Sequence, residues 1–158
     1  MVVKPPVSNS LEMTIVRQIK QLDLAAYELP EKAKNYLLHE AKGILISGAP
    51  GQGKSTFAQA FIQQLAEQEV VIKTLESPRD LIVPDNVTQY SFTHAAHSEL
   101  RDILLLSRPD YTVYDEVRNR DDFMLYKDLR LTGIGLIGVM HATQPIDSIQ
   151  RFLSVVDM

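Results

Sequence analysis

At 158 residues the chain fits one globular domain with a sizeable core, and 45% hydrophobic against 23% charged residues is ordinary for such a fold. A formal net charge of −4 argues against a domain whose whole surface grips nucleic acid, and the absence of cysteine excludes disulfides and thiolate metal centres. No apolar run approaches the ~20 residues of a membrane span, and the start MVVKPPVSNS lacks the apolar centre of an export signal. The expectation is a cytoplasmic protein with no membrane insertion.

Residues 1–11, with Pro5, Pro6, Ser8, Asn9 and Ser10, read as a linker or disordered lead-in before a core over 12–158. EMTIVRQI (12–19) is rich in β-branched residues and reads as a strand. PEKAKNYLLHEAKG (30–43) opens on proline, closes on glycine and has apolar residues at helical spacing, which predicts a helix. GILIS is a strand, and Phe57, Ala58, Phe61, Ile62 and Leu65 share one face of a helix over about 54–68. Strands are predicted at EVVIKTLE (69–76), NVTQYSF (86–92), YTVYDE (111–116) and IGLIGVMHAT (134–143). Helices are predicted at 97–107, 121–133 and 145–156. Strands alternating with helices give an α/β fold, a mostly parallel sheet covered on both faces, whose ligands sit beyond the carboxyl ends of the strands.

Between GILIS and its helix lies SGAPGQGKST, with the P-loop spacing Gly48-x-x-x-x-Gly53-Lys54-Ser55. Glycines at 48, 51 and 53 allow the backbone N–H groups of Gly48, Ala49, Pro50's neighbours, Gly51, Gln52 and Gly53 to turn inward around phosphate oxygens. The following helix adds the positive end of its dipole. Lys54 is expected on the β- and γ-phosphates, the Ser55 hydroxyl on Mg2+, and Thr56 on the α-phosphate of a nucleoside triphosphate such as ATP. YTVYDE ends a strand in Asp115 and Glu116, of which one can hold the magnesium's water shell and the other polarise a water. Glu76 in TLESP and His141 in GVMHAT also fall at strand tips, so four polar positions converge on one edge of the sheet. Glu76 there can serve as a general base or simply cap a strand end. His39, His94 and His97 have no such placement. Arg108, Arg118, Arg120 and Arg130 are interleaved with acids, as on a solvated face.

Together these boxes resemble the secretion-type hexameric ATPases of pilus retraction and type II and IV secretion, and most of all the archaeal PilT-like ATPases that carry a PIN domain before the motor and a KH domain after it. The family's TIEDP box resembles TLESP, which implies Glu76 as catalytic base. Its DPDxxxxGEMRD resembles RPDYTVYDEVRNRDD, which implies Glu116 at the magnesium and Arg118 as the following arginine. Its TGHxxxxTLHT resembles TGIGLIGVMHAT, which implies a γ-phosphate-sensing role for His141. Ser77, Ile134 and Asp115 depart from these patterns. Asp115 replaces a glycine and restores an Asp-Glu pair, which leaves two divisions of labour open: Glu76 as base with Glu116 at magnesium, or Asp115 at magnesium with Glu116 as base. The resemblance further implies a RecA-like sheet, a homo-hexameric ring, and arginines contributed across subunits, with Arg17 a weaker candidate than a plain surface residue. It also implies nucleic acid reached through flanking PIN and KH domains, and a motor core that continues past Met158, so that the chain reads as a fragment.

Three other readings stay open. One is a motor for secretion or pili. Another is a small-molecule kinase, disfavoured by the lack of an arginine-rich lid and by a carboxylate expected on the strand adjacent to the phosphate loop. The third is a nucleotide-binding assembly module with little turnover alone.

Overall fold

The computed structural model describes residues 2–15, 22–77 and 81–155. The N-terminal stretch is not a plain linker. β1 (Val2–Val3) pairs antiparallel with β2 (Glu12–Met13), the prolines and the Ser-Asn-Ser segment making the return. Val2, Val7, Leu11 and Met13 are exposed, so this hairpin contributes little to the core. Of the strand expected over 12–19 only Glu12–Met13 forms within the described residues; Arg17 lies outside them.

A 3-10 turn at Leu24–Tyr27, capped by the Asp23 carboxylate, buries Leu24. The helix expected over 30–43 begins as α1 (Glu31–Asn35) and then widens at Tyr36–Glu40, where the Ala41 N–H reaches back five residues to the Tyr36 carbonyl. The remaining elements follow in the expected order. They are β3 (Gly43–Gly48), α2 (Lys54–Ala66), β4 (Ile72–Glu76), β5 (Thr88–Ser91), α3 (His97–Ser107), β6 (Tyr111–Tyr114), α4 (Arg120–Leu131), β7 (Gly135–His141) and α5 (Pro145–Val155).

Five strands form one parallel sheet in the order β3-β7-β6-β4-β5. The acids of β6 are therefore not next to the phosphate-loop strand, as the sequence suggested: β7 lies between them. The register aligns the carboxyl ends. Gly48 stands opposite His141, Tyr114 opposite both Gly138 and Leu75, and Glu76 opposite Ser91.

Alternation along the strands feeds two cores. Ile72, Val113 and Ile137 pack under Phe61, Ile62 and Leu65 of α2, together with Leu24 and Leu38. Leu75, Tyr114, Leu136 and Met140 face the other way, toward Leu100 and Leu104 of α3 and Phe123 and Leu129 of α4. All four residues of β6 are buried, the polar Thr112 among them, as expected of a strand covered on both faces. Two glycines let aromatic rings lie on β7. A Cβ at Gly138 would sit 2.8 Å from the Tyr126 ring, and one at Gly135 would sit 2.5 Å from Tyr111.

Candidate functional site

The loop from β3 to α2 turns on two left-handed glycines, Gly51 (φ 77°) and Gly53 (φ 79°). Gly48 is different: its φ is not left-handed, and it serves by leaving room, since a Cβ there would lie 2.8 Å from the Gln52 Oε1. Gln52 uses that oxygen to accept the Ala49 N–H at 3.0 Å. Lys54 is buried as a residue, and its ammonium donates to the Ala49 carbonyl at 2.8 Å. Ala49, Pro50, Gly51, Gln52 and Gly53 thus form a tight ring with Lys54 folded into it, directly before the first turn of α2, where Ser55 and Thr56 sit.

Ser55 reaches across to the acids. Its Oγ donates to Asp115 Oδ1 at 3.1 Å, although the two residues belong to elements separated by a full strand. A hydroxyl beside a carboxylate is a hard-oxygen pair suited to Mg2+, which usually takes one or two carboxylates and fills its octahedron with water and phosphate. The donor chemistry therefore fits magnesium. No group of three or more His, Asp or Glu residues is arranged as a metal cage among the described residues.

Glu116 follows with φ 74°, a left-handed conformation unusual for a residue with a side chain. It is held there from both sides: the Asp115 N–H bonds the Leu75 carbonyl at 2.9 Å and the Val117 N–H bonds the Val139 carbonyl at 2.7 Å. The turn aims the carboxylate at two partners. His141 Nε2 lies 3.1 Å from Glu116 Oε1, and the Arg118 guanidinium pairs closely with Glu116 Oε2. That hydrogen bond raises the Arg118 pKa above its ordinary value. His141 Nδ1 is buried and has no hydrogen-bond partner among the described residues. Three of the residues named from sequence, Glu116, Arg118 and His141, are thus in direct contact, and Asp115 with Ser55 is their neighbour.

Glu76 is placed otherwise. It is fully buried. Its Oε1 accepts from the Thr74 hydroxyl and, at 2.9 Å, from Gln89 Nε2; its Oε2 accepts the Leu81 N–H at 3.0 Å. The carboxylate is a bracket that joins β4, β5 and the segment resuming at Leu81. A general base must meet water, and this carboxylate meets none of the solvent. Of the two divisions of labour left open by the sequence, the burial of Glu76 favours the one with Asp115 at magnesium and Glu116 as base.

One group had no role in the sequence reading and has one here. His97, at the start of α3, lies 2.7 Å from Asp122 Oδ1, and the Tyr114 hydroxyl donates to the same oxygen at 2.6 Å. Asp122 Oδ2 accepts the N–H groups of Arg118 (2.8 Å) and Asn119 (2.9 Å), while Asn119 caps α4 in return. Burial pushes the Asp122 carboxyl up, but hydrogen bonds from Tyr114, His97 and the Asn119 and Arg118 amides outweigh it and hold the pKa below its ordinary value. Burial, reinforced by Asp122, drives the Tyr114 phenol well above its usual pKa. The sequence signal was Asn119 three residues before Asp122, a capping box ahead of an apolar run.

A family model described as type II/IV secretion system protein matches residues 6–157. Holliday junction branch migration ATPase PINA of Sulfolobus acidocaldarius is 54% identical over 157 residues, covering 99% of this chain and 31% of that protein. The KH and PIN-domain containing protein MJ1533 of Methanocaldococcus jannaschii is 46% identical over 157 residues, covering 99% of this chain and 24% of its own. The chain spans a third or less of the length of these relatives. Among solved structures, the Legionella pneumophila ATPase DotB aligns with a TM-score of 0.74 at 19% identity, over 87% of this chain and 41% of that one. The pilus retraction motor PilT with bound ADP aligns at 0.67 and 19% identity, over 94% and 44%. At these identities the likeness concerns the fold.

Proposed function

From a chain that belongs to the type II/IV secretion system protein family, with the RecA-like P-loop fold, we propose an ATP-binding and ATP-hydrolysing motor domain. The observation that carries this reading is the 3.1 Å contact between Ser55 and Asp115. It joins the phosphate loop to the acid strand at the point where a metal-bound triphosphate would lie.

In this proposal the N–H groups of residues 48, 49 and 51–53 and the Lys54 ammonium hold the phosphate tail, with Thr56 at the α-phosphate. Ser55 and Asp115 would hold Mg2+, whose charge supplies electrostatic relief for the phosphates. Glu116 is the general base, accepting a proton at its carboxylate from the attacking water. Its partners Arg118 and His141 are the residues a terminal phosphate would draw away, so phosphate arrival and exposure of the base are one event. Ground-state pairing of base and sensor in this way keeps the acid closed until substrate is present.

The partner and substrate come from resemblance. The relative named as a Holliday junction branch migration ATPase favours branched DNA as what the whole protein acts on, through parts outside this chain, over secretion or pilus movement. A homo-hexameric ring and a cytoplasmic location complete the proposal; no helix among the described residues is long and apolar enough to cross a membrane.

Phosphate release from Mg-ATP tests it, with nucleotide affinity measured in parallel. Glu116→Gln is expected to bind ATP and lose turnover by roughly 100-fold or more. Unchanged turnover in that variant, beside an inactive but folded Glu76→Gln, would return the base to Glu76. Transfer of phosphate to an acceptor other than water would favour a kinase.

A further inference from the structure

Arg151, on α5, belongs to none of the motifs above, yet its guanidinium reaches the site from behind. Nη1 donates to the His141 carbonyl at 3.0 Å and Nη2 donates to the Arg118 carbonyl at 2.9 Å. These are the main chains of the two residues whose side chains flank Glu116. The Arg118 peptide is gripped at its other end too, since its N–H bonds Asp122 Oδ2. The guanidinium also lies over Phe123 of α4, its carbon 6.0 Å from the ring centre.

We propose that Arg151 is a positioning residue: one planar fork ties the tip of β7 to the loop after β6, and so fixes the spacing at which His141 and Arg118 meet Glu116. Neither strand sets that spacing alone. β6 ends at Tyr114, so the loop at 116–119 is anchored to β7 by the Val117–Val139 bond and then by Arg151. A guanidinium suits the task because its donors sit on separate nitrogens at a fixed angle and separation, whereas the donors of an ammonium radiate from one rotating nitrogen and hold no fixed fork. Both hydrogen bonds of Arg151 described above go to backbone carbonyls of the site and neither to a site side chain, so its part is to set geometry. α5 thereby becomes an element through which the contact between acid and sensors can be altered from outside the site.

The kinetic part of the test rests on the ATP-hydrolysis reading; the spectroscopic part does not. In the full chain, Arg151→Met keeps an unbranched side chain of similar bulk and removes the guanidinium, and Arg151→Lys restores the charge and donors without the planar fork. First, the ring nitrogen resonances of 15N-labelled His141, assigned through His141→Gln, are expected to move in Arg151→Met and to move less in Arg151→Lys. Unmoved His141 resonances would overturn the proposal. Second, kcat for Mg-ATP is expected to fall roughly 10- to 100-fold in Arg151→Met, with KM within about twofold of the parent. Adding Arg151→Met to His141→Ala should cost little more than His141→Ala alone. A raised KM with kcat unchanged, or losses that multiply in the double variant, would show Arg151 acting on its own and overturn the assignment. Should the unaltered chain release no phosphate, the ATPase reading fails, and the His141 resonances still decide the role of Arg151.

Discussion

Replacing Glu76 with glutamine changes one atom and poses a sharp hydrogen-bonding problem. Among the described residues the carboxylate accepts on both oxygens, from Thr74 and Gln89 at one and from the Leu81 amide at the other. An amide has one acceptor end. Turned so that its oxygen keeps the Leu81 N–H, it sets its NH2 against the Gln89 NH2, while the Thr74 hydroxyl can rotate to accept. Turned the other way, it sets NH2 against a backbone N–H that cannot rotate. The first orientation is the milder, and it forfeits about one hydrogen bond to a charged acceptor, worth ~1.5–3 kcal/mol. Removing a buried charge offsets a part of this, so a net loss of about 2 kcal/mol is expected. For a domain of this size that lowers Tm by roughly 4–8 °C. Thermal melts of Glu76→Gln and its parent, followed by circular dichroism, measure the shift. Phosphate release well below the melting range is read alongside and is expected to persist. A variant that melts within about 1 °C of the parent would refute the bracket, and a fully folded variant with no turnover would refute Glu116 as the base.

Lys54→Ala should leave the fold intact, because it removes only a contact within the loop, and should weaken binding of Mg-ATP by roughly 10- to 100-fold in a fluorescent-nucleotide titration. Gly138→Ala pushes a methyl into the Tyr126 ring at 2.8 Å, a ring itself fixed in the core, and is expected to cost ~1–3 kcal/mol in urea denaturation. Asp122 has a folded pKa below that of the unfolded chain, so the unfolded state takes up its proton first as pH falls. Its contribution to stability is thus complete above the ordinary value of 3.8 and disappears as pH drops through the folded value. Urea titrations of the parent at successively lower pH should lose this increment, and Asp122→Asn should show a shallower decline.

How much was legible depended on how local the cause was. α3 runs over His97–Ser107, the span read from its apolar spacing, because one buried face decides it. The phosphate loop was legible because its glycines and Lys54 act within a few residues of one another. Strand order was not: each of β3, β6 and β7 reads as a buried parallel strand, and nothing in such a run states its neighbour. Glu76 looked like an open acid at a strand tip because its donors come from positions 74, 81 and 89, which only the fold assembles. Likewise His97, Tyr114 and Asp122 come from three elements, and the value of each depends on the other two. The helix expected after Pro30 forms over 31–40, and what the spacing did not show is the widening of its pitch at Tyr36–Glu40.

Gly48 and His141 are rungs of one ladder, and the Ala142 N–H closes it with a bond to the Gly48 carbonyl at 3.1 Å. The strand that leads into the glycine loop and the histidine that faces Glu116 are consequently welded into a single block. They cannot part without tearing sheet hydrogen bonds. In the proposed motor, a stroke driven from this site would come from some other piece swinging against that block, with the block itself serving as the anvil.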